Sequence, residues 1–322
     1  MNPLLEVRDL RVGFDVRHGG RTARLQALQG TSLQVARSET LGIVGESGSG
    51  KSTLARSLLR LTRAESGSVH FDGVDLLALR GPALQRARAR LQMIFQDGIA
   101  ALDPRQRIGA ALEEPMRALR PDWPASTRRE RASSMLARVG LDPQHLLRFP
   151  HEFSGGQAQR IGIARALIVQ PELVVCDEPL SSLDVSVKAQ ITTLLLELRR
   201  QFALSMIFIA HDLPAVQLLS DRVLVLYLGR VMETAPRDAL FGHARHPYTR
   251  ALLQSVPVPD PRLARARIAA PLPGDPPSPL APPSGCVFRT RCPLAIERCA
   301  REIPALRQVG DSEVACHRAE QT

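Results

Sequence analysis

Eight consecutive residues, Gly45-Glu46-Ser47-Gly48-Ser49-Gly50-Lys51-Ser52, concentrate the chemistry of this 322-residue chain. They match G-x-x-x-x-G-K-[ST], whose glycines let the backbone wrap closely enough for successive N–H groups to converge on phosphate oxygens. Lys51 supplies a point charge for β and γ phosphates, Ser52 a hydroxyl for Mg²⁺, and Thr53 is placed to touch the α-phosphate. Residues Gly45 to Thr53 are therefore the expected binding site for ATP.

A second run, Leu173-Val-Val-Cys-Asp177-Glu178-Pro179, ends an apolar stretch in two carboxylates. Asp177 at the end of a strand can hold Mg²⁺ through the ion's water shell. Glu178, one residue on, faces the other way and is suited to polarise an attacking water as general base.

These residues need a scaffold that brings them to one edge. Leu41–Val44 reads as the strand before the phosphate loop, and the spacing of Leu54, Leu58, Leu59 and Leu61 predicts the helix after it. Leu4–Phe14 alternates like a half-buried strand, and with Ser32–Val35 it predicts a strand-rich amino-terminal lobe. Further short strands are predicted at Val69–Phe71 and Leu91–Phe95. From about Asp97 to Phe153 the pattern turns helical and arginine-rich, interrupted by Pro104, Pro115, Pro121, Pro124 and Pro143, which predicts an inserted helical subdomain. Leu173–Cys176, Met206–Ala210 and Val223–Leu228 are short aliphatic runs between helical segments, the pattern of a parallel α/β sheet.

Phosphate loops serve many enzyme classes, and other residues are needed to choose among them. Phe153-Ser154-Gly155-Gly156-Gln157, followed by Arg160 and lying shortly before the Asp177–Glu178 strand, resembles the signature motif of ABC-type ATPases. Ser154, Gly155, Gly156 and Gln157 at a helix start are suited to a second anion, the γ-phosphate of a nucleotide held by another subunit. The resemblance implies roles for several more positions. Gln96 stands where a glutamine links Mg²⁺ and the attacking water to the transmembrane partner. Ser182-Leu183-Asp184 resembles the loop that crosses the dimer interface. His211, ending Met206–Ala210, resembles the switch histidine at the γ-phosphate, and Phe14 stands where an aromatic ring stacks on adenine. The metal set so implied is Ser52, Gln96 and Asp177.

A finer resemblance spans almost the whole chain. His246-Pro247-Tyr248-Thr249 with Ala251-Leu252, and Gly285-Cys286-x-Phe288 after a proline-rich stretch, are similar to the carboxy-terminal extension of ATPases from dipeptide, oligopeptide and nickel importers. Asp103-Pro104-Arg105 and Glu113-Glu114-Pro115 resemble the same subfamily. Asp97-Gly98-Ile99-Ala100 departs from it, since relatives carry a proline and often an aromatic after the glutamine. The implied fold is α/β, a P-loop ABC ATPase core with an antiparallel amino-terminal β-lobe, an inserted helical subdomain and a cysteine-bearing extension. The expected boundaries are 1–255 for the nucleotide-binding domain, with the helical subdomain at about 97–160, then a proline-rich linker at 256–285 and the extension at 286–322.

Four of the five cysteines, Cys286, Cys292, Cys299 and Cys316, fall in that tail, which is too short to build its own core. A protein using ATP works in a reducing compartment, so metal ligation is favoured over disulfides. The close C-x₂₋₄-C pairs typical of zinc are absent, and the wider spacing is compatible with an iron–sulfur cluster; zinc and free thiols remain alternatives. The subfamily resemblance points to [4Fe–4S]. Cys176 reads as a small core residue.

The formal charge of +10 raises nucleic acid or an acidic membrane as partners. Lysine, however, occurs only at Lys51 and Lys188, and the arginines are scattered rather than blocked. No secretory signal and no apolar run of spanning length is visible, so membrane attachment is expected to come through partners. The resemblance implies a motor subunit on the cytoplasmic face of the inner membrane, importing dipeptides or oligopeptides, or nickel as the alternative. Its expected partners are a second ATPase subunit, itself or a paralogue, two permease subunits and, indirectly, an extracytoplasmic binding protein. A soluble ABC ATPase of ribosomes or DNA would show a second ATPase domain or long coiled-coil or zinc insertions; neither is present, and nucleic acid is not an expected partner.

Overall fold

A computed structural model describes residues 2–18, 20–255 and 274–321. Most of the expected linker, 256–273, lies outside the described residues, as does Thr322. Two sheets organise the chain. The smaller is antiparallel, in the order β2-β1-β4-β5, and comprises β1 (Leu5–His18), β2 (Arg21–Val35), β4 (Ser66–Phe71) and β5 (Val74–Asp75). The larger has the order β11-β12-β10-β9-β3-β8-β7-β6. Its parallel part is β9 (Arg222–Tyr227), β3 (Thr40–Val44), β8 (Ser205–Ile209), β7 (Leu173–Asp177) and β6 (Leu91–Ile94). β10 (Arg230–Pro236), β12 (Ser312–Val314) and β11 (Arg307–Val309) extend it antiparallel.

Strict alternation along the parallel strands divides the apolar residues into two cores, because successive side chains leave opposite faces. Leu41, Ile43, Leu173, Val175, Ile207, Ile209, Leu224 and Leu226 meet α1 (Lys51–Leu58) and the antiparallel lobe. Val174, Cys176, Met206, Phe208, Val223, Val225 and Tyr227 face the opposite core. There they meet α5 (Gly155–Leu167), α6 (Val185–Phe202) and α7 (Leu213–Leu219). Burial on both faces is why these strands read as continuous aliphatic runs.

The helical insert holds α2 (Gly81–Arg90) at its approach, then α3 (Ile108–Leu119) and α4 (Ala125–Arg138). Ile108, Leu112, Met116, Leu136 and Ile161 join its apolar centre to the larger core. Pro115 lies inside α3 without ending it, and Pro124 caps α4. Of the five expected interruptions, Pro115 is thus an internal helix position, Pro124 a helix cap and Pro143 the first residue of a short 3₁₀ helix, while Pro104 and Pro121 lie in turns.

The tail does not stand apart from this core. β12 pairs with β10, aligning Glu233 with Val314 and Thr234 with Glu313. Phe288, Val287, Cys286 and Cys299 enter the larger core, close to α8 (Arg237–His243) and α9 (Pro247–Gln254). A segment too short for a core of its own borrows one.

Candidate nucleotide-binding site

The phosphate loop leaves β3 and enters α1 through backbone that only glycine tolerates. Gly45 and Gly50 have φ of 156° and 103°, and a Cβ on either would lie 2.1 Å from Leu226 O or 2.5 Å from Ala27 O. Lys51 is buried, its Nζ donating to Gly45 O at 2.8 Å and Glu46 O at 2.9 Å, with Ser49 Oγ at 3.4 Å. Burial pulls its pKa down, and the carboxylates of Glu178, Asp177 and Glu46 oppose the shift. An ammonium has three donors; a phosphate oxygen would take the place of the long Ser49 contact.

β7 delivers the carboxylates. Ser52 Oγ donates to Asp177 Oδ1 at 2.8 Å, and burial is the main reason the Asp177 pKa is raised. A buried carboxyl with one hydroxyl partner and a lysine nearby suits a hydrated divalent ion, so Ser52 and Asp177 fit Mg²⁺. Glu178 takes a left-handed φ of 48°, secured by its N–H donating to Ile209 O at 2.9 Å. Strain of this kind persists where the surroundings fix it, here turning the side chain out of the strand's alternation. His211 Nδ1 lies 3.4 Å from Glu178 Oε2. Lys51, Ser52, Asp177, Glu178 and His211 are thereby gathered at the carboxyl ends of β3, β7 and β8.

The other predicted residues lie elsewhere. Ser154 caps α5 in a closed box, its Oγ accepting from Gln157 N while its own N–H donates to Gln157 Oε1. Gly155 and Gly156 face Leu183 and Val187, and Asp184 caps α6 by accepting from Val187 N at 3.0 Å. Among the described residues no hydrogen bond or ion pair joins Ser154–Gln157 to Gly45–Thr53. Gln96 is exposed just beyond β6, and Phe14 is exposed on β1 opposite Leu25.

The unusual Asp97–Ala100 segment has a physical basis. Asp97 Oδ1 accepts from Ile99 N and Ala100 N, forming its own turn. A Cβ on Gly98 would lie 2.7 Å from Ala158 O. Arg165 of α5 completes the seat by donating to Ala101 O at 2.7 Å and pairing with Glu114 of α3.

Sequence reasoning missed the contacts from the carboxy-terminal part to the phosphate loop. Glu46 N donates to Tyr248 Oη at 2.8 Å, and Arg291 Nη1 donates to Glu46 Oε2 at 2.7 Å and to Tyr227 Oη at 3.4 Å. Removing one partner of a buried pair costs about 3–5 kcal/mol; Glu46 keeps 25% of its side-chain surface exposed, so the cost here is smaller. Tyr227, Tyr248 and Phe288 form an aromatic floor with ring centroids 4.7–5.5 Å apart. Glu233 of β10 accepts from Arg245 N and His246 N, and His246 Nδ1 accepts from Tyr248 N. The His246–Thr249 motif was a visible signal without a visible role: it seats the tyrosine that receives the Glu46 amide.

None of the tail cysteines is paired in a disulfide among the described residues. Backbone N–H groups of Phe288, Leu294 and Arg318 donate to the sulfurs of Cys286, Cys292 and Cys316. Burial pushes the Cys286 thiol up to about 11 and raises Cys292 and Cys316, each further raised by neighbouring tail thiols. Hydrogen bonds to sulfur suit a cluster ligand. Yet among the described residues no three His, Cys, Asp or Glu side chains are grouped to hold a metal ion. The expected cluster thus finds suitable donor chemistry without a formed ligand sphere.

A phosphate loop with a magnesium-type carboxylate, a turned-out glutamate and a capped glycine helix on this two-sheet frame defines an ATP-binding-cassette ATPase. Residues 28–181 match the ABC transporter family, and residues 232–299 match the oligopeptide/dipeptide transporter carboxy-terminal region. The oligopeptide transport ATP-binding protein OppF of Salmonella typhimurium is 48% identical over 97% of this chain and 95% of its own. A putative peptide import ATP-binding protein of Brucella ovis is 49% identical over 95% of each. The ATP-binding cassette MJ0796, solved as a dimer in a post-hydrolysis state with ADP and phosphate, aligns with TM-score 0.65 and 26% identity over 72% of this chain and 98% of that one. Clostridium perfringens cbiO1 gives 0.63 and 27% over 76% and 92%. The chain belongs to the ATP-binding subunits of the oligopeptide/dipeptide branch of ABC transporters.

Proposed function

We propose that this chain is the ATP-hydrolysing motor subunit of a membrane importer for oligopeptides or dipeptides. The observation that carries the chemistry is the meeting of Lys51, the Ser52–Asp177 pair and Glu178 at one sheet edge. Peptide is favoured over nickel by the names of the similar relatives.

In this reading the Gly45–Thr53 amides and Lys51 hold the triphosphate, and Ser52 and Asp177, with Gln96, would hold Mg²⁺. Bound there, Mg²⁺ neutralises developing charge on the phosphates. Glu178 takes a proton from the water that attacks the γ-phosphorus, and His211 keeps the Glu178 carboxylate oriented. ADP and phosphate are the products. The Ser154–Gln157 cap, with no bond to its own chain's phosphate loop, is assigned to the nucleotide of a second subunit, with Asp184 at the shared boundary and Phe14 against adenine.

The proposed assembly has two ATPase subunits, identical or paralogous, beneath two permease subunits on the cytoplasmic face of the membrane, served by an extracytoplasmic binding protein. No helix among the described residues is long and apolar enough to cross a membrane. For the four tail thiols the proposal remains a [4Fe–4S] cluster that staples the extension and takes no part in ATP chemistry. It rests on the resemblance of the extension to that importer subfamily, with four thiols at a compatible spacing and N–H donors at three sulfurs beside it; anaerobically isolated protein without stoichiometric iron and sulfide refutes it.

The functional test is peptide uptake into vesicles reconstituted with this chain and its permease partners. Uptake should require ATP and vanish with Lys51→Ala. Uptake that persists in that variant refutes the motor assignment.

A further inference from the structure

Glu46 is held on three sides. Its N–H donates to Tyr248, its carboxylate takes the Arg291 guanidinium, and its carbonyl receives Lys51 Nζ. The first two holders come from the part of the chain after β10, the third is the phosphate-binding cation itself. Arg291 is 7% exposed, and its Nε is buried without a hydrogen-bond partner. Packing and the Glu46 carboxylate therefore fix it more than a full set of bonds does. Its backbone belongs to a turn that is closed by Arg291 N donating to Phe288 O and fastened by Cys286 N donating to Cys299 O.

The Glu46 carboxylate also acts on Lys51 electrostatically, beside those of Asp177 and Glu178. Three acidic groups around a site for a tetra-anionic ligand is an awkward arrangement. Asp177 has a use for its charge in holding a cation, and Glu178 in accepting a proton. Glu46 has neither, and Arg291 is its counter-charge.

We propose that Arg291 is a positioning residue for the nucleotide site: it holds and neutralises Glu46, so that the phosphate loop presents Lys51 to the triphosphate without an uncompensated carboxylate at its entrance. The proposal rests on Gly45–Thr53 being the ATP site. Through it the carboxy-terminal extension becomes part of the apparatus that sets nucleotide affinity.

The test is equilibrium ATP binding to the full chain at low salt, with Lys51→Ala alongside. Arg291→Ala should weaken binding by at least about tenfold, the size expected for a single pair of unit charges about 10 Å apart in an effective dielectric of about 20. Adding Glu46→Gln to Arg291→Ala should restore affinity to within about threefold, because the offending charge is gone. Arg291→Lys should stay near the parent chain. Glu46→Gln alone removes the charge that Arg291 offsets and leaves the loop amides in place, so any loss of affinity should be smaller than that of Arg291→Ala. Parent-like binding by Arg291→Ala, a loss that Glu46→Gln does not repair, or a loss in Glu46→Gln alone as large as that of Arg291→Ala each overturns the proposal. If the parent and Lys51→Ala bind ATP equally, it is the assignment of the ATP site that fails, separately from the role of Arg291.

Discussion

Ser52 and Asp177, 125 positions apart in the chain, share a hydrogen bond of 2.8 Å. It ties the first turn of α1 to the last residue of β7. The helix that starts at the phosphate loop and the strand that carries the acidic pair are thus one unit before any ligand arrives. The geometry proposed above to hold Mg²⁺ is largely built in advance, at the cost of a buried carboxylate.

That cost has a pH signature. Burial raises the Asp177 pKa, so the folded chain binds this proton more readily than the unfolded chain does. Its contribution therefore falls as pH rises from the ordinary carboxylate value through the raised one. Asp177→Asn should raise the melting temperature of the nucleotide-free protein at neutral pH. It should also weaken Mg²⁺ affinity on the order of 10–100-fold. Calorimetric melts with and without Mg²⁺ and ATP check both, and a less stable Asn variant would contradict the account.

Glu178→Gln should keep ATP binding and lose hydrolysis by on the order of 10²–10⁴-fold, the range for a missing general base. The left-handed backbone and the Glu178 N–H bond to Ile209 O do not depend on the carboxylate charge, so the site keeps its shape. ATP should then trap a closed dimer, visible as a shift in sedimentation. Parent-like turnover would remove Glu178 from the proposed role.

The parallel sheet was readable because buried parallel strands must be continuous aliphatic runs: Leu41–Val44, Leu173–Cys176, Met206–Ala210 and Val223–Leu228 correspond to β3, β7, β8 and β9. The β1–β2 hairpin was only half readable. Its far end pairs Val16 with Ala23 and Arg17 with Thr22, residues held by cross-strand backbone bonds with little burial, so no apolar alternation marks them. The phosphate loop, Asp177 and Glu178 announced themselves as local strings. Arg291 and Glu46 did not, being 245 positions apart. Pro115 misled because proline usually ends a helix, whereas α3 packs firmly enough through Ile108, Leu112 and Met116 to continue past it.

Gly98→Ala tests the seat of the segment after Gln96. The new methyl would meet Ala158 backbone at 2.7–2.8 Å, a contact that neither helix nor loop can relieve by a rotamer change. Overpacking of this kind costs about 1–3 kcal/mol. The expected outcome is a lower melting temperature, with ATP binding kept and transport-coupled hydrolysis reduced. Undiminished stability would show that the loop shifts freely.

His246 sets an acid limit on the carboxy-terminal part. Burial pushes its pKa down to about 3, below the ordinary value of about 6.5. The folded chain thus binds fewer protons than the unfolded one, and stability present above pH 6.5 is lost as pH falls towards 3, by up to about 1.4 kcal/mol per pH unit. Tyr227 and Tyr248 are the only tyrosines in the chain, and both sit in this cluster, so near-ultraviolet tyrosine dichroism reads it selectively. The signal should fade on acidification ahead of global unfolding, and His246→Asn, whose amide oxygen can replace Nδ1 as acceptor, should flatten that dependence.

The pairing of β12 with β10 also sets an order of events at the ribosome. β10 is complete roughly 80 residues before its partner strand is made, several seconds at about 5–20 residues per second. Over that interval its outer edge offers open N–H and C=O groups, and the tyrosine floor lacks the Phe288 ring that closes it. A nascent chain in that state is exposed to strand addition by its neighbours. Slower or crowded synthesis therefore favours aggregation from the carboxy-terminal edge of the sheet, and a chaperone that shields β10 until residue 314 emerges would raise the yield of folded protein.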